Sequence, residues 1–427
     1  MLFLAVKLLM TGISTGQESL HPDTAQLLFR DLKKMTALHF GMWERDIYGP
    51  VLLVDPRTRQ VIANEGDTAG YLKYEQGIYK GSLPPGVNVS NTSVHWSGRH
   101  WAMVMLPLPS QPNARLNLLA HELFHRAQSS LGFKSFNPDN NHLDRKEGRI
   151  YLLLELQALA AAITAPVREE MQKHLTAALL FRKYRYTLFP LSDSTENLME
   201  LNEGICEYSG QVMSGRNDEQ TRANLLARIT RFSGTRSFLR SFAYECVPVY
   251  GWLLEKTRKN WQKEVSTGTN LTDFFIKSFG INMPTDIPAA ARDALDAYNG
   301  TMIIEAETRR EEQIAMQIAA YRQKFVDSPH LVLPLENMRM AFDYMTIQPI
   351  EGHGTVYPTI RVTDNWGILD VKSGAMISAD WKRIHVGWPD KIEANMVSGD
   401  GWTLTLNPGY RVALNSDGRY VLMANSR

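Results

Sequence analysis

Strand-patterned and helix-patterned segments are segregated along this chain, and that segregation is the tightest constraint on its fold. Between Tyr48 and Pro109 the sequence runs VLLVD, a PRTRQ turn, VIAN and later HWAMVMLPLP, short apolar runs divided by Gly and Pro. From Asn113 to about Phe325 apolar residues recur at helical spacing, in LNLLAHELFHRAQ, GRIYLLLELQALAAAI, TENLMELNEGICEYSGQV and RSFLRSFAYECVPVYGWLLEK. After Pro329 short alternating runs return, such as TVYPTIRVTD and TLTLNPGYRVAL, broken by the turn pairs Asp400-Gly401, Pro408-Gly409 and Asp417-Gly418. Strands and helices in separate runs predict an α+β protein. The expected organisation is an N-terminal α+β region at 17–110, opened by a helix from Pro22, then a helical domain at 111–328 and a C-terminal β domain at 329–427. The stripe Ile314, Ile318, Tyr321 and Phe325 predicts an amphipathic helix that closes the helical domain.

Composition narrows the function. The 427 residues are 44% hydrophobic and 21% charged, which fits a packed globular chain and excludes a collagenous or mainly disordered one. Lys and Arg number 46 against 45 Asp and Glu, so no bulk positive field is available to hold a phosphate backbone, and nucleic acid is not an expected partner. Two cysteines, Cys206 and Cys246, allow at most one bridge and make neither a disulfide scaffold nor a zinc-finger pair. Met1 to Ile13 is apolar apart from Lys7 and leads into Ser14-Thr15-Gly16, a pattern that resembles a secretory signal at 1–16. It is too short for a membrane span, and nothing later qualifies. The expectation is a secreted or periplasmic protein with no transmembrane segment; a buried N-terminal helix in a cytoplasmic protein is the other reading.

The chemistry-bearing segment is His121-Glu122-Leu123-Phe124-His125, inside an apolar-periodic helix. Histidines four apart share one helix face, so both imidazoles reach one metal ion while Glu122 can serve as general base. A third ligand is needed, and two carboxylates are candidates: Glu155 in LLLELQAL, and Glu203 in LNEGICEY. Asp193 and Glu196 have capping-box spacing at the head of that second helix, which places Glu196, Glu200, Glu203 and Glu207 near one face. With Leu198, Leu201, Ile205 and Tyr208 between them the face should be partly buried, where a bound dication would offset the cost of the carboxylates.

These residues resemble the gluzincin metallopeptidases, the aminopeptidase-N-like and related families, in which HExxH is followed on a later helix by an Asn-Glu-Gly-x-x-x-Tyr string. The resemblance covers roughly Asn113 to Lys256. It implies a zinc-dependent hydrolase that cleaves peptide or protein substrates with a metal-activated water, on a mainly helical zincin-like domain. His121, His125 and Glu203 would be the metal ligands and Glu122 the base. Tyr244, within Tyr244-Glu245, would stabilise the tetrahedral intermediate, with Tyr250 as the alternative. The sequence departs from the pattern in two ways. First, 78 residues separate His125 from Glu203, room for an inserted helix pair that carries Glu155, so Glu155 stays open as third ligand or as a partner orienting a histidine. Second, no Gly-x-Met-Glu-Asn string is present, which leaves endo- or exopeptidase action open.

Further residues have two readings each. Trp101 to Leu108 is either an edge strand that pairs with an extended peptide or an ordinary core strand. Asn141, His142 and Asp144 either enter the cleft or stabilise their loop. Cys206 and Cys246 follow the two site motifs and are either bridged or two buried thiols. Two other functions remain in view. One is a di-iron carboxylate protein, which needs a second Glu-x-x-His that the chain lacks. The other is a catalytically silent peptide-binding or interaction module on a metallopeptidase fold.

Overall fold

A computed structural model describes residues 21–342 and 346–424. The leader-like stretch 1–16 lies outside the described residues. The chain is α+β and forms two compact units that divide between Tyr298 and Asn299.

Among the described residues the first unit starts with helix α1 (Pro22–Leu38), whose Ala25, Leu28, Phe29 and Leu32 are buried. Six short strands follow: β1 (Val51–Val54), β2 (Gln60–Ala63), β3 (Lys73–Glu75), β4 (Ile78–Ser82), β5 (Thr92–Trp96) and β6 (Arg99–Met105). They form one sheet in the order β3-β4-β2-β1-β6-β5. All four residues of β1 are buried, as expected for an aliphatic strand covered on both faces. Asp55 closes the β1–β2 hairpin by accepting from the backbone N–H groups of Arg57 (2.8 Å) and Thr58 (3.2 Å). Strand β6 pairs parallel with β1 and antiparallel with β5. The Trp101–Leu108 run is therefore interior, and the free edge on this side of the sheet belongs to β5. Of the two readings of that run the core strand holds and the edge strand does not, because the parallel β1–β6 pairing puts β6 between β1 and β5.

Helix α2 (Pro112–Ala127) carries HELFH, begins with Pro112 in its first turn and packs on β5 and β6. The interval between the two site motifs holds a pair of mutually packed helices, α3 (Lys146–Thr164) and α4 (Arg168–Leu188). Next come α5 (Ser192–Met199), a π turn at Glu200–Gly204 and α6 (Ile205–Val212). Helix α6 packs on α2, and the approach is close because residue 210 is glycine: a Cβ there would sit 2.7 Å from the Asn117 carbonyl oxygen. Helices α7 (Asp218–Phe232) and α8 (Ala243–Glu255) complete the site's surroundings. Gly204 lets the π turn meet α8, since a Cβ would lie 2.5 Å from Val247 Cγ2.

The expected Asp193–Glu196 capping box is absent. The residue that caps α5 is Leu191, with φ 70° and no side-chain bond, and Glu196 turns inward to Arg185 instead.

The second unit begins with the helix Gly300–Arg322. The stripe on this helix was expected to close the helical domain, yet Tyr321 and the following Phe325 pack on Ile350, Val356 and Met376, all of the second unit. Beyond it, among the described residues, a seven-stranded and a six-stranded sheet share a core that includes Leu331, Leu333, Val362, Leu369, Ile384, Trp402 and Leu404. Strand alternation explains the core: in Ile360–Asp364 and Trp402–Leu406 every second residue is buried. No helix among the described residues is long and apolar enough to cross a membrane.

Candidate metal centre

Helix α2 places His121 and His125 one turn apart on the face that meets the π turn and α6. The ring Nε2 atoms lie 3.1 Å apart, and Glu203 Oε2 lies 3.5 Å from His121 Nε2 and 3.2 Å from His125 Nε2. Around a tetrahedral zinc with ligands at about 2.0–2.1 Å, neighbouring ligand atoms stand about 3.3–3.4 Å from one another. The three observed separations fall around that value, and these three residues form a cluster of metal-ligand type.

The opposite ring nitrogens are engaged, which leaves the two Nε2 atoms to face Glu203. His121 Nδ1 lies 3.0 Å from Glu207 Oε2, and His125 Nδ1 lies 3.0 Å from Gln128 Oε1. Gln128 is itself fixed, because its Nε2 donates to the Asn202 carbonyl in the π turn (3.2 Å). With each Nδ1 against a side-chain oxygen, both Nε2 atoms face the Glu203 carboxylate, the orientation from which a histidine binds a cation once its Nε2 gives up its proton. Glu203 also accepts from Asn202 Nδ2 (3.1 Å), Arg240 Nη2 (2.9 Å) and the Tyr244 hydroxyl (2.5 Å). Its position on the π turn fits the tendency of such irregular turns to sit at functional sites.

Glu122 is 4% exposed, and its Oε2 is buried with no hydrogen-bond partner among the described residues. Burial pushes its pKa up. A carboxylate left bare beside two imidazoles fits a group that handles a proton there. Burial works to raise the Glu203 pKa as well, but hydrogen bonds from His121, His125 and Tyr244 hold it well below the usual carboxylate range. Glu207 is likewise brought down to about 2, Arg228 outweighing burial. Burial would lower the His121 pKa, and Glu203 and Glu207 instead carry it up to about 10. Tyr244 stacks on the His121 ring, with centroids 5.3 Å apart and planes 9° apart, and burial together with Glu203 raises its pKa, so it stays a hydroxyl donor. These residues fit a divalent cation: two imidazole nitrogens and one carboxylate with converging ligand atoms and an orphaned acid beside them, a bound cation taking the place of the proton that Glu203 and Glu207 otherwise hold on His121.

The structure separates the remaining expected site residues. Glu155 and Tyr250 are not at this centre. Glu155 is fully buried between Arg182 and Arg185, at 2.8 and 3.0 Å, and Tyr250 donates to Glu155 Oε1 (3.0 Å). Glu200 and Glu196 complete this second network, Glu200 with Arg182 (2.7 Å) and Glu196 with Arg185 (2.6 Å). The four helix carboxylates therefore divide, Glu196 and Glu200 to the buried arginines, Glu203 and Glu207 to the histidines. His142 serves the arginine network through Glu196 (2.8 Å). Asp144 holds its loop to Ser237 and Phe238, and the Asn141 side chain donates to Asp139. Both cysteines are free and buried, with Cys206 Sγ donating to the Asn202 carbonyl. Sequence reasoning missed Gln128 and gave Glu207 no role of its own. The available signal was spacing: Gln128 lies one turn beyond His125, and Glu207 one turn beyond Glu203.

Two cavities open on the centre and share Asn91, His121, Glu122 and Tyr244 in their linings. One, of about 410 Å³, also reaches Thr92 and Ser93 of the edge strand β5, with His125 and Glu203. The other, of about 580 Å³, extends between α2, α6 and α7. Compared with protein-family models, with curated proteins and with solved structures, the chain finds no match in any of the three.

Proposed function

We propose that this chain is a zinc-dependent peptidase of the gluzincin-like type, with His121, His125 and Glu203 as metal ligands. The observation that carries the reading is the convergence of three ligand atoms at separations of 3.1, 3.2 and 3.5 Å beside the unpartnered Glu122 carboxylate. When bound, the metal supplies Lewis acidity and brings the pKa of a water toward neutrality. The chain's own residues account for the rest. Glu122, with its pKa raised by burial, is suited to accept a proton from that water and return it to the leaving amine. Tyr244 keeps its proton and is the hydroxyl donor available to a developing oxyanion. The edge of β5, at Thr92 and Ser93, lines the same cleft and offers backbone groups to an extended peptide. An edge strand beside a HExxH helix, with the third carboxylate on a later helix, supports a zincin-like arrangement for the first unit. Export to a secreted or periplasmic location belongs to the same proposal and rests on the 1–16 pattern.

The test is hydrolysis of a quenched-fluorophore peptide mixture by zinc-loaded wild type and Glu122→Gln. The variant is expected to keep its metal and to lose roughly 10²–10⁴-fold in kcat. Equal turnover in the two proteins contradicts the proposal.

A further inference from the structure

The two arms of the cleft differ in their cations. In the arm beside β5, Arg240 is committed to Glu203 and to Asn137 Oδ1 (2.6 Å). In the arm between α2, α6 and α7 three guanidinium groups line one cavity of about 580 Å³: Arg216, Arg228 and Arg231. Arg228 is saturated by Glu207 and Glu245. The other two are not. Arg216 is half-buried and, among the described residues, its guanidinium reaches only two amide oxygens, Asn117 Oδ1 at 3.3 Å and Gln211 Oε1 at 3.4 Å. Arg231, one turn along α7 from Arg228, is exposed at the mouth of the cavity and makes no side-chain hydrogen bond or ion pair among the described residues, so it is free to meet a ligand from the solvent side. The half-buried Arg216 guanidinium has given up hydration while feeling Arg228 as well as Glu207 and pairing directly with no carboxylate, and a ligand anion would supply that partner.

We propose that this arm is a subsite for a carboxylate of the peptide substrate, with Arg216 and Arg231 as its charge partners. The proposal deepens the peptidase reading and rests on it for the identity of the ligand as a peptide. The walls favour a single negative charge over a phosphate dianion, because Glu122, Glu207 and Glu245 line the same cavity and repel added charge. The carboxylate has two possible sources, an acidic side chain near the scissile bond or the free C-terminus of the peptide. Arg216 and Arg231 are thus specificity-determining residues, and substrates that present a carboxylate to this arm are preferred over their amides.

The experiment measures binding first, so that turnover is not required. Wild type stripped of metal with 1,10-phenanthroline is titrated by calorimetry with acetylated, amidated octapeptides in which Glu replaces Gln at each position in turn, and with the all-Gln peptide bearing a free C-terminus. One of these carboxylates is expected to bind about tenfold more tightly than its neutral counterpart. Arg216→Gln/Arg231→Gln abolishes that ratio, and Arg231→Glu shifts preference toward a Lys peptide, each variant first checked for an unchanged unfolding temperature. A preference at a Glu position assigns a side-chain source, and one for the free C-terminus assigns the other. Ratios all within about twofold in the wild type, or a ratio that survives in the folded double variant, overturn the subsite. The zinc-loaded protein is then assayed on the same peptides. Cleavage without carboxylate preference rejects the subsite and leaves the peptidase, whereas preference without cleavage rejects the peptidase and leaves the subsite.

Discussion

Glu207 Oε2 lies 3.0 Å from His121 Nδ1, on the side of the ring opposite the Nε2 that faces Glu203. Glu207 is held in turn by Asn117, Gln211 and Arg228, so it is a fixed carboxylate and fixes the imidazole's orientation. Glu207→Ala is expected to weaken zinc affinity by about 10–100-fold, with Glu207→Gln intermediate, in competition titrations against a chromophoric chelator. Wild-type affinity in Glu207→Ala would show that the ligand set needs no such support.

Glu155 answers to different physics. It is buried against two arginines that are buried themselves, and although Glu200 and Glu196 still face them, removing it breaks a buried ion pair to each and leaves Arg182 Nε, Arg185 Nη1 and the Tyr250 hydroxyl without their partner in the interior. Glu155→Ala should cost about 3–5 kcal/mol in unfolding free energy while leaving the metal stoichiometry of the folded protein unchanged. Denaturant titration and metal analysis of the same sample check both halves; a variant of native stability that lacks metal would reverse the assignment.

The arginine network also sets a pH dependence. Burial pushes the Glu200 carboxyl up to about 7 from an ordinary 4.5, despite Arg182. The folded chain then holds a proton that the unfolded chain releases, so this group's contribution to stability is full at about 4.5 and below and declines as the pH rises through about 7. Glu196, brought down to about 2, acts in the opposite sense and only at lower pH, where its contribution is lost as the pH falls below 4.5. Between pH 4.5 and 7 the unfolding free energy should therefore carry a Glu200 slope amounting to about 3 kcal/mol, and Glu200→Gln should flatten it. An identical slope in wild type and variant, measured by urea titration across that window, would show that Glu200 does not carry it.

Much of the site was legible because it depends on local spacing. His121 and His125 share a helix face at any orientation of the domain, and the NEG string marks both Glu203 and the glycine that admits Val247 of α8. The segregation of strands and helices was equally readable. That Glu155 stayed open as a ligand and Tyr250 as the alternative tyrosine has a tertiary cause. Arg182 and Arg185 sit in FRKYRY, which reads as solvated charge, and only the packing of α3 and α4 against their neighbours makes them buried partners for Glu155. The edge strand was missed because polar Thr92-Ser93 is a weak strand signal and its place depends on a parallel pairing of β1 with β6, strands far apart in sequence. For the helix Gly300–Arg322, the stripe predicts a covered face and does not say which neighbour covers it.

The central claim is that His121, His125 and Glu203 together hold one divalent ion. Its most direct test is elemental mass spectrometry on wild type, Glu203→Ala and Glu155→Ala after equilibration with zinc and removal of excess. The account predicts about one zinc per chain in wild type and in folded Glu155→Ala, and loss of the ion in Glu203→Ala. A wild type that takes up no zinc, or a Glu203→Ala variant that keeps it, would contradict the account.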